Sequence, residues 1–194
     1  MFKKVLYMDF ETSGLVSPKH GILSAAFIVE IDGEIVEKRE ILLQLFEGQQ
    51  ADAKALEVND FTLRQIKDTH KHPLDAYKEI EEMFCRYVDP YNKQDKFTVA
   101  GYKVDFDITF LNDFFRLSGN TYGAGSYIDN YHPLCTRALL LWFDYVGLLK
   151  LPNYKLKTVA EYFGIEIEAH NAMSDIQATR LIHRRCTELL KRSM

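Results

Sequence analysis

Apolar positions in the first half of the chain come as short runs between turn residues, and helical spacing takes over further along. Residues 3–10, centred on Val5-Leu6-Tyr7-Met8, read as a buried first strand. Ile22 to Val29 form a second apolar run, and Asp32-Gly33 signals a type I′ hairpin turn into a third strand over 34–44. There Ile35, Ile41 and Leu43 alternate loosely with charges, so the first three strands predict an antiparallel meander. Asn59-Asp60 marks a helix start, with a short helix over Phe61–Ile66. Pro73 opens a longer helix from Leu74 to about Val88, in which Leu74, Tyr77, Ile80, Met83, Phe84 and Val88 keep helical spacing. Phe97–Gly101 is a short buried strand, Phe106–Leu117 a helix, and Tyr127-Ile128-Asp129 a final edge strand. Helices follow over Pro133–Tyr145, Leu156–Phe163 and Ser174–Lys191. Strands first, then helices interleaved with further strands, predict an α/β fold. Its mixed sheet would be antiparallel over the first three strands, then parallel, and flanked by helices. With no repeat, low-complexity tract or linker, the expectation is one domain over 1–194.

Composition narrows the function. The chain is 47% hydrophobic and 27% charged, ordinary for a globular domain. No run approaches the roughly 18 apolar residues of a membrane span, and Met1-Phe2-Lys3-Lys4 leads into too short a run for a signal peptide. A soluble, cytoplasmic protein without a membrane partner is expected. Cys85, Cys135 and Cys186 are far apart, lack metal-knuckle spacing, and read as buried thiols in a reducing compartment. A net charge of -4 argues against a broad basic nucleic-acid-binding face. It does not argue against a metal-dependent nuclease, because two divalent cations would offset it.

The candidate chemistry begins at Asp9-Phe10-Glu11-Thr12-Ser13-Gly14. Side chains at i and i+2 of a strand share a face, about 6.6 Å apart along the chain, so Asp9 and Glu11 converge while Phe10 points to the opposite face. Paired carboxylates stay ionised cheaply only with cations between them, although a solvated strand end also fits this pair alone. Asp107 lies in the first turn of the helix after Phe97–Gly101, where a carboxylate is favoured by free N–H groups. Asp105 competes with it, but Phe106 and Phe110-Leu111 orient the helix so that Asp107 aims at the sheet end. His170 and Asp175 stand at the start of the last helix, a histidine five residues before an acid, and histidine is the usual general base near neutral pH.

Taken in order, the Asp-x-Glu pair, the mid-chain Asp and the His-x4-Asp resemble the DnaQ-like (DEDDh) 3′→5′ exonucleases of the ribonuclease H-like superfamily. The resemblance extends to Ala55-Leu56-Glu57-Val58-Asn59-Asp60-Phe61-Thr62 and to Leu156-Lys157-Thr158-Val159-Ala160-Glu161-Tyr162-Phe163-Gly164-Ile165. It departs where family members often carry His-Asn, since this chain has Tyr102-Lys103. The resemblance implies a ribonuclease H-like fold and a hydrolase releasing nucleoside 5′-monophosphates from the 3′ ends of single-stranded DNA. It implies two Mg²⁺ ions, with Mn²⁺ as a substitute. Asp9 would bridge both ions, Glu11 and Asp175 would hold the one beside the attacking water, and Asp107 the other. His170 would deprotonate that water, so activity should rise as His170 loses its proton.

By the same resemblance, Thr12, Ser13, Gly14 and Leu15 would receive the terminal nucleotide. Tyr102, Lys103 and Phe106 would line the strand path through stacking and phosphate contact. An exoribonuclease acting on RNA 3′ ends is the main alternative. A catalytically inactive binding module and a ribonuclease H-like endonuclease are the others. Leu139 to Phe143, five apolar residues in succession, cannot all face inward on one helix. A homodimer, or docking on a DNA polymerase as a proofreading module, is the corresponding expectation. The basic residues of the last helix, among them Arg180, His183, Arg184 and Arg185, read as a solvated face.

Overall fold

The computed structural model describes residues 4–168 and 171–193. A five-stranded sheet with spatial order β3-β2-β1-β4-β5 organises the chain. Its strands are β1 (Lys4–Thr12), β2 (Ile22–Ile31), β3 (Glu34–Leu42), β4 (Phe97–Gly101) and β5 (Ile128–Cys135). β1 pairs antiparallel with β2, and β2 with β3. β4 pairs parallel with both β1 and β5, so the mixed sheet is the one expected. Asp32 and Gly33 turn the β2–β3 hairpin with φ of 51° and 92°, both positive as a type I′ turn requires.

Strand parity sorts β1 onto two cores. Leu6, Met8 and Phe10 face helices α3 (Pro73–Cys85) and α4 (Val104–Leu117), through Ile80, Met83, Phe84, Leu111 and Phe115. Val5 and Tyr7 face the opposite side, packed with Ala172 and Ile176 of the helix Ala172–Ser193. Asp9 and Glu11 continue that second face. A further cluster joins Tyr102 to the last three helices, α5 (Thr136–Tyr145), α6 (Leu156–Tyr162) and α7 (Ala172–Ser193).

Several boundaries differ from the sequence expectation. The segment 133–135 belongs to β5, and α5 starts at Thr136. The β4–β5 register slips between Thr98 and Ala100, so the residues between Asp129 and Leu134 leave the regular pairing. Pro133 therefore needs no ladder N–H on this edge strand. A helix α1 (Ala53–Val58) precedes the expected short one, and Asn59 closes it rather than opening the next. Helix α2 (Leu63–Thr69) is started by Thr62, whose side chain accepts from Gln65 N while the Gln65 side chain caps Thr62 in return. Of the thiols only Cys186 is buried, whereas Cys85 is exposed at the end of α3, and all three cysteines are free. No helix among the described residues is long and apolar enough to cross a membrane.

Candidate active site

The acids come together at the end of the central strand. β1 delivers Asp9 and Glu11 to its α7 face, and α7 returns Asp175 over them from its first turn. One carboxylate oxygen from each of Asp9, Glu11 and Asp175 lies within 4.8 Å of the others. Asp107 arrives from the first turn of α4, next to the end of β4, and its Oδ1 accepts a hydrogen bond from the Phe10 backbone N–H at 3.1 Å. That bond locks the fourth acid to the strand carrying the first two. Phe10 turns the other way, its ring 5.5 Å from Phe27 in the core.

Electrostatics follow from this crowding. Burial pushes the Asp9 carboxyl well above the usual carboxylate range, and repulsion from Asp107, Asp175 and Glu11 adds to it. Asp107 is raised for the same first reason, while the Phe10 N–H and its own backbone N–H pull it back. A cluster that disfavours its own charge calls for cations. The donors are hard carboxylate oxygens, the ligand type that suits Mg²⁺ or Mn²⁺ over thiophilic metals. Asp9, Glu11 and Asp175 fit one ion by proximity, and Asp107 lines the same cleft.

That cleft has a volume of about 860 Å³, with all four acids on its lining. α1 contributes Lys54, Ala55 and Val58 to its lining, and residues 153–156 contribute with Tyr102, Lys103 and Arg137. Lys54, Lys103, Arg137 and Lys155 line it without an ion-pair partner among the described residues. Acids at the floor and unpaired cations on the walls suit metal ions below a polyanion.

Of the expected substrate residues, Thr12, Gly14, Leu15, Tyr102, Lys103 and Phe106 line the cleft. Leu15 is the most open apolar residue of them, at 80% exposure. Ser13 does not line it. Its hydroxyl donates to Gln50 O at 2.7 Å and accepts from Gly21 N at 2.9 Å, while its N–H and C=O bond to Gly21 O and Asp52 N. Every polar group of Ser13 is thus engaged in folding the turn. Tyr102 is nearly buried and donates its hydroxyl to Tyr154 O at 2.8 Å, so it holds the 153–156 wall rather than offering a free ring. Phe106 is half-buried against Phe110, with ring centroids 4.7 Å apart. His170 lies outside the described residues.

Sequence reasoning missed several residues. Asn59 is buried and donates its amide to Thr12 O at 3.0 Å, tying α1 to the end of β1. Gly14 lies so close to the His20 ring that a Cβ there would come within 2.5 Å of it, so only glycine fits that approach. Arg137, Asn153, Tyr154 and Lys155 reach the cleft from loops and a helix start that carry no motif. The basic face of α7 is also not all solvated. Arg180 is buried and bonds Glu30 Oε2 at 2.6 Å, and His183 sits 3.3 Å from the Tyr7 hydroxyl.

A central-strand acid pair, completed by acids from two helix starts in a cation-lined cleft, is a donor set that could hold a metal ion beside an anionic ligand. The chain belongs to the exonuclease family RNase_T, whose family model, described as "Exonuclease", matches residues 6–182. No curated protein matches. Among solved structures, E. coli exonuclease I in complex with a dT13 oligonucleotide is similar at a TM-score of 0.74 and 19% identity, over 95% of this chain and 40% of that one. The zinc-ion-bound form of the E. coli exonuclease I complex with single-stranded DNA gives 0.75 and 19%, over 98% and 42%. An exonuclease I complex with the SSB C-terminus gives 0.76 and 18%, over 99% and 42%. At such identities the likeness establishes a shared ribonuclease H-like fold. The chain spans less than half the length of the exonuclease I chains it matches.

Proposed function

We propose that the protein is a metal-dependent 3′→5′ exonuclease of the DEDDh type, releasing nucleoside 5′-monophosphates from the 3′ ends of single-stranded DNA. One observation carries the reading: Asp9, Glu11, Asp107 and Asp175 meet at the floor of a single cleft, in a chain of the exonuclease family. Neighbours of the same fold bind dT13 and other single-stranded DNA, which favours DNA over RNA for this chain.

Asp9, Glu11 and Asp175 would hold one divalent cation, and Asp107 would help hold a second with Asp9. Two such ions, when bound, would supply charge neutralisation at the phosphoryl oxygens, activation of the attacking water and stabilisation of the leaving 3′-oxygen. The chain does the rest. Lys103, Arg137, Lys54 and Lys155 offset backbone phosphates entering the cleft. Leu15 presents an open apolar surface to the terminal base, on a turn stiffened by Asn59, Ser13 and His20. His170 takes the proton from water as it attacks the terminal phosphorus. The bond from phosphorus to the penultimate 3′-oxygen breaks, that oxygen stays with the strand, and the 5′-phosphate leaves on the nucleotide.

Parallel digestion of matched 5′-labelled DNA and RNA oligomers with Mg²⁺ or Mn²⁺ tests this reading. Stepwise shortening of the DNA from its 3′ end is expected, with activity rising between pH 6 and 8 as His170 deprotonates. Preferential shortening of the RNA would replace the substrate, internal cuts in circular DNA would replace the exonuclease, and inert oligomers would leave a binding module.

A further inference from the structure

The apolar run Leu139–Phe143 resolves into two faces of α5. Leu140 and Phe143 are fully buried with α6 and α7, and Thr136 is buried at the helix start. The other face is a stripe of Arg137, Ala138, Leu141, Trp142 and Tyr145, following i, i+3, i+4 spacing. Its aromatic members are open, Trp142 at 51% and Tyr145 at 87%. The stripe starts at the cleft. A shallow hollow of about 250 Å³ shares Lys103, Phe106 and Arg137 with the cleft and runs on to Ala138 and Leu141, with Asp105 as the acid on its lining.

We propose that this face of α5 is a base-stacking platform for the single strand behind the 3′ end, with Trp142 and Tyr145 receiving bases and Lys103 and Arg137 holding the intervening phosphates. The inference rests on the exonuclease reading and extends its footprint. Two features single out a strand as the occupant. The stripe is continuous with the cleft through shared residues. It also opens with cations that lack an ion-pair partner among the described residues, matching an anionic backbone. Bases of any sequence stack on aromatic rings, the mode of binding a non-selective nuclease needs. From Arg137 to Tyr145 the helix rises about 12 Å at about 1.5 Å per residue. That accommodates about three nucleotides at about 3.4 Å each.

Trp142 is the chain's only tryptophan, so its emission reports this face alone. The test titrates Asp9→Asn protein, which keeps the substrate uncut, with thymidine oligomers of 2, 4, 8 and 12 nucleotides. Tryptophan emission and the anisotropy of a 5′-labelled oligomer are followed together. The 8- and 12-mers should quench Trp142 in step with binding, and the dinucleotide should bind without quenching. Trp142→Leu, which keeps an apolar surface without a ring, should weaken 12-mer binding about tenfold and dinucleotide binding not at all, while Trp142→Tyr should stay within about threefold. A 12-mer that binds with unchanged emission overturns the platform, and if wild type still shortens that oligomer the exonuclease reading stands. Emission that shifts with protein concentration and not with oligomer shows a self-association face and also overturns it. Failure of every oligomer both to bind and to be shortened sinks the exonuclease reading, and the platform with it.

Discussion

In chelator the stability of this protein should fall as pH rises through the carboxylate range, because its site acids are crowded and buried. Asp9 sits at the floor of the cleft with Asp107, Asp175 and Glu11 around it, and burial with their repulsion raises its carboxyl above the ordinary 3.8. Below 3.8 both folded and unfolded states hold the proton, so the group contributes nothing. Above 3.8 the unfolded chain ionises first, and stability falls until the pH passes the folded-state value. One such group costs about 1.4 kcal/mol for each pH unit inside that window. Asp107, raised in the same way, adds to the slope. His183 acts in the opposite sense. Burial holds it below the ordinary 6.5, so its contribution is present above 6.5 and is lost as pH falls. The clean comparison is therefore wild type against Asp9→Asn, in which the His183 contribution cancels. In chelator at pH 7.5, Asp9→Asn should be the more stable by at least about 1 kcal/mol. For a chain of 194 residues that is a rise of roughly 2–4 °C in Tm per kcal/mol. The difference should shrink toward pH 4. Millimolar Mn²⁺ should reverse the order at pH 7.5, because the ion stabilises the ionised wild-type cluster. Thermal melts of both proteins from pH 4 to 8, with chelator and with Mn²⁺, measure it. Equal Tm values for the two proteins at pH 7.5 in chelator would refute the electrostatic reasoning.

Other expectations follow from single contacts. Arg180→Ala should cost about 3 kcal/mol in urea unfolding, because it leaves Glu30, whose side chain is only 13% exposed, without the guanidinium that bonds it at 2.6 Å. Gly14→Ala should lower both the melting temperature and strand cleavage, since the new Cβ would meet the His20 ring at 2.5 Å and force the turn after β1, on the lining of the cleft, to shift. Lys103→Ala and Lys155→Ala should each flatten the plot of log binding constant against log salt by about 0.7 for a single strand, while leaving the melting temperature unchanged.

Much of the site was legible because its logic is local. Strand parity put Asp9 and Glu11 on one face and Phe10 on the other, and the structure keeps that assignment. Asp107 and Asp175 were readable as helix-start acids, and the fold turns both helix starts toward the end of β1. The unreadable parts depend on pairing and on distant contacts. Pro133 suits a helix start as well as an edge strand, and only the irregular β4–β5 register decides between them. Ser13 belongs to the motif by position, yet its hydroxyl is used up between Gly21 and Gln50. Ile176, Arg180 and His183 follow i, i+4, i+7 along α7, so the two basic residues share the apolar residue's inward stripe. Their charge made them look solvated, and it is Glu30 and Tyr7 on the sheet that let Arg180 stay buried and His183 half-buried. Arg137 and Tyr154 enter the cleft only through tertiary folding, and nothing in their local sequence marks them, whereas Asn59 sits in a segment that carries the family resemblance without its bond to Thr12 being readable there.

The central claim is that the four converging carboxylates are where a 3′-terminal phosphodiester is cut. Release of mononucleotides from single-stranded DNA by wild type, Asp9→Asn and Asp107→Asn, each with Mg²⁺, with Mn²⁺ and with chelator, tests it most directly. Nucleoside 5′-monophosphates are expected from wild type with either metal, none in chelator, and at least about a 10²-fold loss in both variants although they remain folded. Undiminished release in chelator, or from a folded Asp9→Asn protein, would contradict it.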